Sequence, residues 1–165
     1  MAISLIPAAT AVSGTLPAAN LPTGSVLQVV NAPFTNYTQT NSNTYASITG
    51  ATISITPKFA TSKILVFVNL VGVTKNSGSN GVGVFQLVRN GTGIFVWDAL
   101  VGYIGGTSTW SGQSSTNYLD SPATTSAITY TIQWKISNTA TLQINNYDNS
   151  PNYSTSTITL MEIAG

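Results

Sequence analysis

Four segments of this chain alternate apolar and polar residues with a period of two. They are Thr52-Ile53-Ser54-Ile55-Thr56, Tyr130-Thr131-Ile132-Gln133-Trp134-Lys135-Ile136, Leu142-Gln143-Ile144 and Thr157-Ile158-Thr159-Leu160. Successive side chains of a strand point to opposite faces, so this period gives each segment one face for a core and one for water. Turn residues separate the apolar runs. Asn90-Gly91-Thr92-Gly93 falls between residues 84–89 and 94–99 and supplies residues that accept positive φ, as a tight hairpin requires. Gly78-Ser79-Asn80-Gly81 and Ser137-Asn138-Thr139 play similar parts. The pattern predicts about eight to ten strands, no helix and no internal repeat.

Composition supports the same class. Charged residues make up 5% of the 165, against roughly 25% in ordinary soluble domains. Ser, Thr and Asn fill the gap, at about a third of all residues. Thr suits a pleated surface, while Asn, Ser and Gly build turns. Hydrophobic residues reach 42%, enough for a core without disulfides or metals. The net charge of +1 and the absence of any Lys/Arg run set aside nucleic acid and anionic membranes as partners. Low charge also lets many copies pack together with little mutual repulsion.

Residues 1–22 differ from the rest. Pro7, Pro17, Pro22 and Gly14 break any helix and favour extended backbone. The segment carries no charged side chain but holds Ile3, Leu5, Ile6, Val12, Leu16 and Leu21. Fully extended it reaches roughly 70 Å at about 3.3 Å per residue. It reads either as a loose tail or as an assembly arm that gains order by hydrogen-bonding to a neighbouring subunit. The apolar start has no positive n-region, so it is a poor signal peptide, and no apolar run approaches the length of a spanning helix. Residues 23–165 form the β body.

One strand of the body breaks the alternation. Residues 63–71, Lys-Ile-Leu-Val-Phe-Val-Asn-Leu-Val, are apolar on both faces. A sandwich core covers one face only, so the other meets a loop or a subunit interface. Residues 102–117 read as a long Gly/Ser/Thr loop around Trp110, a ring placed for contact with a protein partner or a glycan, or for partial burial under its own loop. Trp97 and Trp134 read as core residues.

The chemistry available is narrow. With no His and no Cys, the commonest general base, the thiolate nucleophile and most transition-metal ligands are missing. The acids are Asp98, Asp120, Asp148 and Glu162, spread along the chain with no motif that pairs them. Residues 145–149, Asn-Asn-Tyr-Asp-Asn, offer oxygens to Ca²⁺ but a single carboxylate, so they read as an Asx-rich turn. Gly81-Val82-Gly83 lacks the third glycine of a nucleotide loop. The acceptor patterns at Asn36, Asn90 and Asn152 read as chance matches. The chain is thus expected to be no enzyme and to carry no cofactor or metal.

Two stretches carry a resemblance. Residues 21–30, Leu-Pro-Thr-Gly-Ser-Val-Leu-Gln-Val-Val, and residues 156–163, Ser-Thr-Ile-Thr-Leu-Met-Glu-Ile, resemble a family of virion proteins of tailed bacteriophages, notably of cyanobacteria and marine bacteria. Ser62-Lys63-Ile64-Leu65-Val66 and Leu87-Val88-Arg89-Asn90-Gly91 recur between them in the same order. The resemblance covers about residues 21–164 and rests on strand-and-turn signatures. It implies a structural protein of the virion's outer surface, made in the host cytoplasm. By analogy it also implies an antiparallel sandwich of the jelly-roll type found in tumour necrosis factor and C1q, assembled as a homotrimer through Leu65, Phe67 and Val71. The arm, and the absence of a fibrous shaft, favour a capsid decoration (cement) protein bound to the major capsid protein. The alternative is a tail-fibre or tail-associated knob that binds tail proteins and meets host glycan through Trp110.

Overall fold

The computed structural model describes residues 17–75, 81–98, 110–137, 140–147, 150–151 and 154–165. A short 3-10 turn, Ala18–Asn20, precedes the strands. In chain order these are β1 (Val26–Phe34), β2 (Thr38–Thr40), β3 (Ala46–Ile55), β4 (Lys63–Lys75), β5 (Gly83–Arg89) and β6 (Thr92–Asp98). They continue as β7 (Trp110–Asp120), β8 (Ile128–Ile136), β9 (Leu142–Ile144), β10 (Asn146–Tyr147), β11 (Ser150–Pro151) and β12 (Ser156–Ile163). Eight of these are long; β2, β10 and β11 hold two or three residues each, too short to leave a periodic signal, while the three-residue β9 is the alternating segment Leu142-Gln143-Ile144, with its polar Gln143 buried as well.

All strand pairs are antiparallel, and the eight long strands follow jelly-roll order. One sheet runs β1-β12-β4-β7, extended by β9 and β2, and the other runs β3-β8-β5-β6. β10 and β11 pair with each other. The expected all-β antiparallel sandwich is therefore what the chain builds.

The core lies between the sheets and draws on the inward half of each alternating strand. β4 contributes Ile64, Val66, Val68 and Leu70, and β12 contributes Ile158 and Leu160. Facing them are Phe85 and Leu87 of β5, Tyr130, Ile132, Trp134 and Ile136 of β8, and Ile48 and Ile53 of β3. Each fully buried aliphatic side chain contributes about 1.5–3 kcal/mol relative to exposure. Trp134 is buried as expected; Trp97 is half-buried beside Phe85 and Phe95.

Two backbone features shape the sheets. Asn90 and Gly91 both have positive φ (47° and 86°) and join β5 to β6 in the expected two-residue hairpin. Gly72, at φ 60°, sits at an irregularity in the β4–β7 ladder between Val71 and Val73. There β4 passes from pairing with β12 (through Asn69) to pairing with β9 (at Thr74 and Lys75).

The expected loop over residues 102–117 is corrected in its second part. Residues 110–117 belong to β7, which pairs with β4 from Asp120 back to Trp110. The inward positions of β7 include Gly112, Ser114 and Thr116, so the strand has no apolar alternation to betray it. Buried Ser114 instead accepts a hydrogen bond from the Trp97 indole N–H at 3.1 Å.

The glycines give a test. A Cβ on Gly72 would run into the backbone of Asn146, whereas one on Gly91 would meet open space. Gly72→Ala is expected to cost about 3 kcal/mol and Gly91→Ala about 1 kcal/mol, since both strain φ but one also forces two chain segments apart. Urea denaturation of both variants measures this, and equal losses would show that the close approach at Gly72 is dispensable.

Candidate assembly face

The outer face of the first sheet carries one rung that is apolar on all four long strands. Val29 of β1 lies opposite Met161 of β12, Met161 opposite Leu65 of β4, and Leu65 opposite Leu119 of β7. Cross-strand partners on one face touch, and four strands spaced by about 4.8 Å make a rung roughly 14 Å wide. Val29 is 54% exposed, Leu119 48% and Phe67, on the next rung, 40%. Met161 and Leu65 between them are half-buried by their neighbours.

The rungs beyond are uncharged and tied together laterally. Asn31, Thr159, Phe67 and Asn117 form one, with Asn31 Nδ2 donating to Thr159 Oγ1 at 2.7 Å. Pro33, Thr157, Asn69 and Ser115 form the next, with Ser115 Oγ donating to Asn69 Oδ1 at 2.7 Å. The opposite face of the sandwich has no such apolar rung on β3 and β8; Thr52 pairs with Thr131 and Ser54 with Thr129 through hydroxyl contacts of 3.2 and 2.8 Å.

The structure thus brings Leu65 and Phe67 to one patch and adds Val29, Met161 and Leu119. Those three could not be found from the apolar run of β4, because cross-strand register decides which residues join it. Val71 faces the same way, opposite Gln113, but lies six residues from Leu65, roughly 20 Å along the strand. Trp110 opens β7 opposite Lys75; its side chain lies outside the described residues, as do Ile3, Leu5, Ile6, Val12 and Leu16. Leu21 is half-buried in a pocket with Phe59, Thr61 and Ala164. The chain just after it is tied to the body by Gly24 N–H to Ala164 O and Ala164 N–H to Ser25 O, both 2.8 Å.

The two acids whose side chains are described, Glu162 and Asp120, occupy the inner rung directly behind the apolar one. Glu162 and Asp120 flank Ile64 on either side, two strand spacings or roughly 9.6 Å apart along the sheet. That separation alone would not exclude a hydrolytic pair, but both carboxylates are buried (0% and 5% exposed) and committed to internal bonds. Asp120 accepts from Arg89 Nη1 at 2.8 and 2.9 Å and from the Tyr130 hydroxyl at 2.7 Å. Burial, then the hydrogen bond to Asp120, push the Tyr130 phenol far above its ordinary value.

Glu162 accepts from the backbone N–H of Lys58 at 2.7 Å and of Phe59 at 3.4 Å, and from Gln28 Nε2 at 2.5 Å. Its burial opposes the charge. The Gln28 amide and the two backbone donors outweigh it and hold the carboxyl below its ordinary value of 4.5. Asn145, one of the candidate calcium ligands, is spent internally, donating to Phe34 O and Asn36 O and accepting from Ser156 Oγ at 2.6 Å. Among the described residues no three His, Cys, Asp or Glu side chains gather, and no helix is long and apolar enough to cross a membrane.

No protein-family model matches the chain, and no curated protein matches it. Among solved structures it is similar to the infectious bursal disease virus Gx strain, at 14% identity and a TM-score of 0.39, over 97% of this chain and 43% of that one. The Gt strain of the same virus gives 11% identity and 0.37, over 93% and 43%. Dimeric latent PorU from Porphyromonas gingivalis gives 10% identity and 0.35, over 92% of this chain and 14% of that one. The chain spans less than half the length of each of these proteins.

Glu162 sets an acid limit on stability. Its folded pKa lies below the ordinary value, so its contribution is complete above about pH 4.5 and is lost as pH falls through the folded value. Glu162→Gln is expected to lower stability near neutrality by about 2 kcal/mol, while flattening the fall in stability on the acid side. Denaturation midpoints across the acid range measure both, and an unchanged acid limb would exclude Glu162 as its source.

Proposed function

We propose that this chain is a non-enzymatic structural protein of a bacteriophage virion, a decoration (cement) protein on the outside of the head. In this reading it forms a homotrimer through the rung of Val29, Met161, Leu65 and Leu119 with Phe67, and it grips the major capsid protein with residues 1–22. The observation that carries the assembly step is that apolar rung, open to solvent on a face with no other use for it. An uncovered apolar patch rimmed by polar groups is the usual mark of a contact surface.

The surroundings of the rung support the same reading. Lys63 lies at one end of the face, and otherwise its rungs are uncharged, so copies approach without repulsion and without desolvating ion pairs. Hydrogen bonds of the flanking rungs are already made within the sheet, which leaves few polar groups to go unpaired on contact. The arm root at Gly24 is five residues from Val29, about 17 Å along β1. An arm leaving there reaches neighbours from the same end that carries the rung. A stable interface buries roughly 1,200–2,000 Å². The rung supplies the dry centre of such a contact, with the arm adding area toward the shell. The virion placement rests on the sequence resemblance.

Light scattering of the full chain, paired with binding to undecorated heads, tests this. Phe67→Ser combined with Leu119→Ser is expected to convert trimers to monomers that keep the β-rich circular dichroism spectrum, with association weakened by about 100-fold. Removing residues 1–16 is expected to leave the trimer and abolish binding to heads. A wild-type chain that stays monomeric at micromolar concentration would overturn the assembly step, and a truncated chain that still decorates heads would overturn the role of the arm.

A further inference from the structure

Three segments far apart in sequence meet where residues 1–16 depart from the body. They are the arm root (residues 17–25), the turn of residues 56–62, and Ala164 and Gly165 after β12. We propose that Glu162 is the positioning residue of the arm: its buried carboxylate holds the 56–62 turn, and that turn is the seat of the root. This rests on the reading of residues 1–22 as an assembly arm and adds the group that fixes where the arm starts.

The carboxylate organises the turn directly. Its Oε1 accepts from the successive backbone N–H groups of Lys58 and Phe59, at 2.7 and 3.4 Å. Two such bonds to one charged oxygen fix both peptide planes, and with them where Phe59 stands. Oε2 accepts from Gln28 Nε2 at 2.5 Å, and the same amide donates to Thr56 O at 2.8 Å, so β1, the turn and the acid are tied at one point. Lys58 and Lys63 are exposed, which leaves Glu162, among the described residues, as the one buried charge bonded to this turn.

The turn in turn holds the root, by two routes. Phe59 and Thr61, with Ala164 and Gly165, line a recess of about 280 Å³ whose other lining is Leu21 and the two alanines of the 3-10 turn. Gly165 also lies so close to the turn that a Cβ on it would collide with the Thr61 carbonyl. The segment after β12 is thus pressed against the turn on one side and bonded to the root on the other, through Gly24 N–H to Ala164 O and Ala164 N–H to Ser25 O. Among the described residues these are the two backbone bonds that tie residues 17–25 to the body. A segment held by so few contacts opens at low cost, so its position follows the turn it rests on. Asp120, the other buried acid of the same rung, is bonded to Arg89, Tyr130 and Ser121, none of them in the root or the turn.

Hydrogen exchange of backbone amides in the full chain, followed by NMR near neutral pH, tests the assignment. The Gly24 and Ala164 amides report on the root, and those of buried Leu87 and Ile132 on the core. Glu162→Gln is expected to speed exchange at Gly24 and Ala164 by about tenfold beyond any change in the core amides. Asp120→Asn is expected to change root and core amides alike. Lys58 is the first Lys or Arg in the chain, so tryptic cleavage after it releases residues 1–58 and reports on the turn. Leu21→Ala is expected to raise that cleavage rate about fivefold, because coupling between seat and root is reciprocal. This second variant decides the matter even if Glu162→Gln does not fold. Equal acceleration of root and core amides in Glu162→Gln would overturn the proposal, as would cleavage after Lys58 that Leu21→Ala leaves unmoved. Neither readout involves heads or the trimer, so a failure here is distinguishable from a failure of the arm to bind.

Discussion

β4 is hydrogen-bonded along both edges, and the rest of the sandwich is arranged around that fact. β7 runs along one edge from Asp120 to Trp110, while β12 and then β9 take the other. A strand in this position cannot shift by one residue without moving Ile64, Val66, Val68 and Leu70 out of the core, together with the matching residues of two neighbours. Register is therefore set once and shared by the whole sheet. The outer rung follows as a consequence, since the positions of Val29, Met161 and Leu119 are dictated by where Leu65 sits.

That rung has a rigid backing. Each of its residues is next in sequence to a member of the inner rung Gln28, Glu162, Ile64 and Asp120. The inner rung is bound by charge-assisted hydrogen bonds: Glu162 to the 58–59 turn and Asp120 across the sandwich to Arg89 and Tyr130. These acids thus fix the strand ends that present the apolar side chains. Buried ion pairs add little net stability against an apolar replacement, yet losing one partner is costly, so they hold geometry more than they add energy. A chain this poor in charge uses two of its four acids in this one place.

Much of this architecture could be read from residue order, and the parts that could not share a cause. β3, β8 and β12 announce themselves by alternation, β4 by an apolar run that breaks it, and Asn90-Gly91 by its need for positive φ. β7 does not, because the strand packs small polar residues inward, with Ser114 accepting a hydrogen bond from Trp97. Alternation reports an apolar core and is silent where hydrogen bonds replace it. The assembly patch was half visible for a related reason. Leu65 and Phe67 lie on one strand, whereas Val29, Met161 and Leu119 join them through pairings between segments up to 132 positions apart. Val71 kept the right parity, but the chain beyond it, Gly72 to Lys75, is buried. No periodicity marks where a strand leaves the surface; Gly72 alone hints at it.

The irregularity at Gly72 also explains how one sheet face can hold two unlike surfaces. On the rung side, regular pairing lines up one side chain per strand, which suits a broad and flat contact with another protein. At Gly72 that regularity stops, backbone from the β9–β10 corner moves in, and the face becomes concave and polar. Flat apolar surface and recessed polar surface require different backbone geometries. A single left-handed residue in the central strand separates them by roughly 20 Å. A flat surface and a recess can therefore share one sheet face without sharing residues.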